Sequence, residues 1–362
     1  YVVHRFADGS KDWLFDGFLF LEFKDGSGRN YTVGYEKLNA RRTEWEWLLD
    51  RIFEQGKSLS ALDRCIGQEI KELGKPAFRH QIVLGLPEAI RGQKDWGEID
   101  GREMDFSKEE DQIAATKWYI GELVERFKAA KYKHLELSGF YWVAEDTHHC
   151  EELTIPLSEY IHSEGKLFYW IPYWQAKGHE EWKRLGFDVA YQQPNHFFNH
   201  SIPDSRLDEA CATARRHGMA MEFEFDEKAT AAIPNSSHDR MAAYINHFEK
   251  NDVFNSSAVA YYCGNRGVLT LDESDNPKDK ALMDRLARII QARRYLKYGI
   301  PMKNKTRVVA HRGFWHTDGS AQNSIASLLK ADQLGVYGVE FDVWMASDGV
   351  PVLNHDGWHD GY

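Results

Sequence analysis

The residues best suited to chemistry lie near the end of the chain: His311-Arg312-Gly313, Gln322-Asn323-Ser324, Glu340-Phe341-Asp342 and Asn354-His355-Asp356. Three short apolar runs that read as strands carry most of them, at 306–310, 338–343 and 350–353. Alternation along 338–343 sets Glu340 and Asp342 on one face, as a paired clamp on a hard divalent cation (Ca²⁺ or Mg²⁺) requires. His311 and His355 end their strands, where an acid and a base can flank a phosphate held by Arg312. A second group of carboxylates lies upstream. Glu145 follows Phe140-Tyr141-Trp142, and Glu222, Glu224 and Asp226 alternate along one strand face. Carboxylates aimed into a barrel are costly unless they serve something. Glycosidic cleavage needs two of them, an acid for the leaving oxygen and a nucleophile or base opposite. That points to Glu145 with Glu222 or Glu224, against the plainer reading of solvated strand-end carboxylates. Trp142 and Tyr173 are candidates for stacking on a sugar, and Gln192 and Asn195 for binding its hydroxyls; Asp16, Gln193 and Tyr262 fit the same strand ends. Adjacent His148-His149 cannot easily face one ion.

These residues need a scaffold. Over residues 1–298 strands are expected at 13–23, 81–86, 134–140, 167–172, 189–193, 220–225 and 258–263. Helices alternate with them at 43–53, 59–73, 107–130, 155–163, 179–185, 207–216, 237–250 and 278–297. This alternation predicts an α/β fold with a parallel sheet, a (β/α)₈ TIM-like barrel. Seven strands are counted where such a barrel has eight, so the first is expected upstream of Tyr1. On that count 134–140 is the fourth strand and 220–225 the seventh, and the site lies at the strand C-terminal ends. Ser107 and Glu110 form a capping-box pattern. The polar run Met302-Lys303-Asn304-Lys305 marks a linker at 299–305, and 306–362 forms a second unit. A second barrel of roughly 250 residues does not fit in that length, so 306–362 is expected to be its truncated start and inactive by itself.

Composition narrows the partners. The chain has 362 residues and a formal net charge of −11, which argues against nucleic acid or an anionic membrane surface. No apolar run approaches the roughly 18 residues of a membrane span. Twelve Trp, 17 Tyr and 20 Phe give an aromatic share of 14%, fit either for a large core or for sugar-stacking platforms. The four cysteines are scattered without a CxxC pair, and buried free thiols are the expectation.

The four C-terminal motifs, in that order and spacing, resemble the opening third of the glycerophosphodiester phosphodiesterase family. That family's pattern runs His-Arg-Gly, Glu-Asn-Thr/Ser, Glu-x-Asp, His-Asp, and Gln322 departs from it. The resemblance implies a small-molecule glycerophosphodiester substrate, a Ca²⁺ or Mg²⁺ ion on Glu340 and Asp342 with a further ligand beyond Tyr362, phosphate binding by Arg312, and acid–base roles for His311 and His355. Residues 1–298, through Leu14-Phe15-Asp16-Gly17, Gly139-Phe140-Tyr141-Trp142 and Glu222-Phe223-Glu224-Phe225-Asp226, are similar to an uncharacterised bacterial family grouped with glycosidase-like barrels. Together they imply a periplasmic or secreted two-domain hydrolase acting on a phosphodiester and a glycan. The alternative makes the first barrel a non-catalytic carbohydrate-binding module.

Overall fold

A computed structural model describes residues 1–147, 151–300, 307–317 and 319–357. His148-His149 and most of the expected linker fall outside the described residues. The chain divides into two compact units, Tyr1–Ile300 and Pro301–Tyr362.

In the first unit β1 (Gly17–Phe20), β2 (His80–Leu86), β3 (Leu135–Trp142), β4 (Leu167–Trp170), β5 (Val189–Gln192), β6 (Ala220–Glu224) and β7 (Val259–Tyr262) form one sheet in chain order. Every ladder in it is parallel. The crossovers carry α1 (Arg42–Phe53), α2 (Ser58–Leu73), α3 (Glu109–Ala130), α4 (Glu151–Ser163), α5 (Ser205–His217) and α6 (His238–Lys250), and α7 (Gly267–Glu273) and α8 (Pro277–Tyr298) follow β7. Sequential parallel strands joined by such crossovers are the TIM-like topology. Seven strands make it a half-barrel sheet, and no eighth pairs into it among the described residues.

Side-chain alternation divides the apolar residues between two layers. Leu84, Phe140, Trp142, Phe168, Trp170, Met221 and Phe223 pack into the large core that also holds the buried helix faces. Val83, Tyr141, Val143, Tyr169, Ile171, Tyr191 and Ala260 form a second cluster on the opposite sheet face. Most of the aromatic share is therefore core. Gly139 makes this inner layer possible: a Cβ there would lie 2.0 Å from the Leu167 carbonyl oxygen and 2.8 Å from the Tyr169 ring. Beside it the β2–β3 register slips, between Ile82 and Val83.

An antiparallel hairpin, Val3–Arg5 with Lys11–Trp13, precedes β1. It is clasped to α8, where Asp12 pairs with the buried Arg294 at 2.9 Å and His4 meets Asp284 at 2.6 Å. The expected strand 13–23 is thus split between this hairpin and β1. Asp16 consequently precedes β1, at the end of the sheet away from the strand C-termini, and pairs with Lys297 at 3.1 Å. The capping box at Ser107 does not form, because its hydroxyl donates to Asp105 at 2.6 Å and α3 begins at Glu109. Residues 179–185 make only a 3₁₀ turn, His179–Glu181.

In the second unit β8 (Val309–His311) and β9 (Gly338–Glu340) pair in parallel around α9 (Ile325–Gln333), with His311 opposite Glu340. The expected strand 338–343 breaks after Glu340. Its remainder joins β10 (Val343–Met345), which pairs antiparallel with β11 (Pro351–Leu353). Ala331 is the one buried hydrophobic residue among those described here, and Ile325, Leu329, Val343, Met345 and Leu353 are exposed.

Candidate active sites

The first cluster forms at the C-terminal ends of β3 and β6. Glu222 and Glu224 lie on the strand face opposite Met221 and Phe223, whose side chains enter the helix-side core. The segment after β3 is held by the Trp170 indole, which donates to the Ala144 carbonyl at 2.9 Å, and by the Tyr173 amide, which donates to the Glu145 carbonyl at 3.3 Å. Tyr173 also donates its hydroxyl to Asp146 at 3.4 Å.

Electrostatics tie these carboxylates together. Burial, then the charges of Glu224 and Asp146, push Glu145 up to about 7. Glu222 is 5% exposed and lies well above the ordinary carboxylate range, through burial and the charges of Glu224 and Glu145. Its Oε2 has no hydrogen-bond partner among the described residues. Burial raises Glu224 as well, opposed by four donors: the Tyr244 hydroxyl, the His196 amide at 3.2 Å, the Gln193 side chain at 3.5 Å and the Asn195 amide. Buried carboxylates whose charges raise one another resist ionising together at neutral pH. The donors favour charge on Glu224, while burial favours the protonated forms of Glu222 and Glu145. A proton donor beside a retained carboxylate is the equipment for general acid–base chemistry.

Two expected binding residues lie elsewhere. Trp142 is in the helix-side core with its ring edge-on to Phe168, and Gln192 shares its strand face with the core residue Ala190, aligned in register with Met221. Alternation turns both away from the cluster. Asn195 is at the right end, but its side-chain oxygen accepts from the Trp174 amide at 2.6 Å and holds a turn. Tyr173 adjoins Asp146, as above. Tyr244, His196 and the exposed Tyr35, stacked on Phe23 at 4.6 Å, carried no sequence signal: one lies within an ordinary amphipathic helix, the others in loops.

The second cluster surrounds the turn after β8. Arg312 stands at φ 58° and Gly313 at φ 83°, a left-handed pair that folds the chain back over α9. A Cβ on Gly313 would lie 2.2 Å from the Ser327 hydroxyl, so this position demands glycine. The Arg312 guanidinium lies 3.1 Å from Asp342 and donates to Gln322 at 2.8 Å, while its amide donates to Glu340 at 3.1 Å. His311 approaches Glu340 at 3.9 Å. Asn323 clamps Asp342 twice, donating to its carboxylate at 3.0 Å and accepting from its amide at 3.2 Å. That bond from Asn323, with the charges of Arg312, His355 and His311, holds Asp342 below the usual carboxylate range. His355 enters through Asn354, whose amide donates to the Asp342 carbonyl at 3.2 Å. Asn323 stood in the motif without an assigned role, and Gln322 turns out to position Arg312. Glu340 and Asp342 offer hard oxygen donors of the kind Mg²⁺ takes, one or two carboxylates with water completing the shell. No group of three or more His, Cys, Asp or Glu side chains placed to hold a metal occurs among the described residues.

Fold and clusters define a TIM-like α/β unit with a buried carboxylate group, followed by a smaller unit with a histidine–arginine–carboxylate corner. The chain belongs to the family described as a domain of unknown function (DUF4855), which matches residues 1–288. Residues 311–360 match the glycerophosphoryl diester phosphodiesterase family. Glycerophosphodiester phosphodiesterase 1 of Rattus norvegicus and that of Mus musculus are each 39% identical over 67 residues, 18% of this chain and 19% of theirs. The chain thus spans about a fifth of the length of these curated relatives. Among solved structures it is similar to a family 18 chitinase from Crocus vernus (12% identity, TM-score 0.36, 64% of this chain and 76% of the other). A second is a candidate alpha-L-fucosidase from Bacteroides thetaiotaomicron VPI-5482 (13%, 0.40, 77% and 93%).

Proposed function

We propose that the chain is a two-domain hydrolase whose first unit cleaves a glycosidic bond and whose second belongs to a glycerophosphodiester-cleaving domain. The observation that carries the first assignment is the placing of the buried Glu222 and Glu224 on one face of β6, at the same sheet end as Glu145 after β3. Glu145, pushed up to about 7, acts as the general acid toward the leaving oxygen. Glu224, held by donors that include Tyr244 and the His196 amide, acts as the nucleophile or base, and Glu222 keeps its proton. The test is reducing-sugar release from a panel of oligosaccharides by the whole chain and by its Glu145→Gln and Glu224→Gln variants. Turnover by the parent that falls at least 100-fold in both variants supports the assignment, whereas glycan binding without turnover in the parent makes the unit a carbohydrate-binding module.

In the second unit Arg312 binds the phosphate, and His311 and His355 move protons at the attacking and leaving oxygens. Glu340 and Asp342 would hold the divalent cation (Ca²⁺ or Mg²⁺), which when bound neutralises charge on the phosphoryl oxygens. Support comes from the 39% identity to glycerophosphodiester phosphodiesterase 1 across these motifs and from their convergence on one turn. Calcium binding by calorimetry should be lost in Glu340→Ala and retained in His311→Ala. Metal-dependent glycerophosphocholine hydrolysis that survives in His311→Ala contradicts the assignment. Both substrates suit a periplasmic or secreted protein.

A further inference from the structure

Beyond the carboxylates, at the same end of the sheet, a cleft of about 240 Å³ opens between the segments that follow β5 and β6. Phe198, Ile233 and Pro234 give it apolar walls, and His200 and Lys228 give it polar ones. An aromatic contact links its lining to the strand that neighbours the carboxylates. Tyr262 is the register partner of Glu224 on the β6–β7 ladder and shares the face of Ala260, the face Glu222 and Glu224 also use. The Phe198 ring meets Tyr262 edge-on at 5.8 Å, and both rings are exposed, at 50% and 43%. Tyr262 and Phe198 therefore form an exposed aromatic path from the end of β6, where Glu224 itself is buried, to the cleft.

Charge identifies what the cleft takes. The Lys228 ammonium makes no ion pair among the described residues. The two acids beside it are engaged: Asp226 accepts from the Lys228 amide at 2.7 Å, and Glu227 accepts from the Arg266 amide. His200 is held by Ser237 at 2.9 Å and adds a second nitrogen-bearing wall. In a chain of net charge −11, a lysine on the wall of a cleft with no ion pair among the described residues favours an anion. Exposed aromatic edges beside it suit the apolar face of a sugar ring. We infer that this cleft is a distal subsite for a sugar unit bearing an anionic substituent, a carboxylate or a phosphate. The inference rests on the glycosidic reading of the neighbouring carboxylates for its substrate class.

The test is calorimetric titration of the whole chain carrying Glu145→Gln, so that binding is read without turnover. The probes are two matched pairs, galacturonate trimer against galactose trimer, and glucose 6-phosphate against glucose. At least a tenfold preference for one anionic member is expected, identifying carboxylate or phosphate as the substituent. Lys228→Met should abolish that preference, Lys228→Arg should keep it, and Phe198→Ala should weaken both members of the pair. Equal binding within both pairs, or a preference unchanged by Lys228→Met, overturns the subsite. A Lys228-dependent preference in a chain whose parent cleaves no glycan leaves the subsite standing and refutes the glycosidase.

Discussion

Glu145 links protonation to folding as well as to chemistry. Its folded-state value, about 7 against an ordinary 4.5, means the folded protein keeps a proton that the unfolded chain has released. Stability from this group is therefore fully present at acid pH and is lost as pH rises from about 4.5 to about 7, amounting to roughly 3 kcal/mol. Glu145→Gln should flatten that part of the stability–pH curve and raise the urea midpoint at pH 8; an unchanged slope would contradict the assignment. Tyr244 acts on the same system from α6, donating to Glu224. Tyr244→Phe removes a hydrogen bond to a charged group, worth about 1.5–3 kcal/mol. It should move the acid limb of the pH–activity profile upward and lower turnover by about tenfold or more, read from kcat/KM across pH. The motif residues His311, Arg312, Glu340 and Asp342 were legible because adjacent strand ends and one tight turn suffice to gather them. Tyr244 and His196 were not, since their contacts with Glu224 cross the fold.

Two devices at the scale of elements hold the sites in place. The turn after β8 depends on the missing side chain of Gly313. Gly313→Ala should lower the midpoint of the second unit and weaken Arg312-dependent ligand binding, whereas Gly319→Ala, with nothing within 4 Å of its Cβ, tests backbone strain alone. The clasp between the hairpin and α8 rests on the buried Arg294 and Asp12, which Tyr295 and Gln291 also reach at 2.9 and 2.6 Å. Asp12→Ala strands a buried guanidinium and should cost about 3–5 kcal/mol, measured by urea unfolding. The alternation of strands and helices was readable because parallel strands show as compact apolar runs and the crossovers as amphipathic ones. The split of 13–23 was hidden, since a hairpin strand and a barrel strand carry the same apolar pattern. Trp142 was expected in the segment after its strand, which runs on to include it, and Gln192 at the end of its own; alternation then turns both side chains toward the helix-side core.

Across the whole molecule, burial is distributed unequally. The first unit holds nearly all the buried apolar residues, and Ala331 alone represents them in the described part of the second. Hydrogen exchange should accordingly show strong protection in β2 and β3 and little in β10 and β11; equal protection in the two units would contradict this burial pattern. The order of strands in the sheet has a consequence for synthesis. Sheet order is chain order, so each strand leaving the ribosome finds its partner already made, and the sheet can grow by accretion from one edge. The clasp is the exception. Leu14 and Arg294 are 280 residues apart, so the hairpin made first must wait, its aspartate unpaired, until the last helix of the unit arrives to lock the assembled strands.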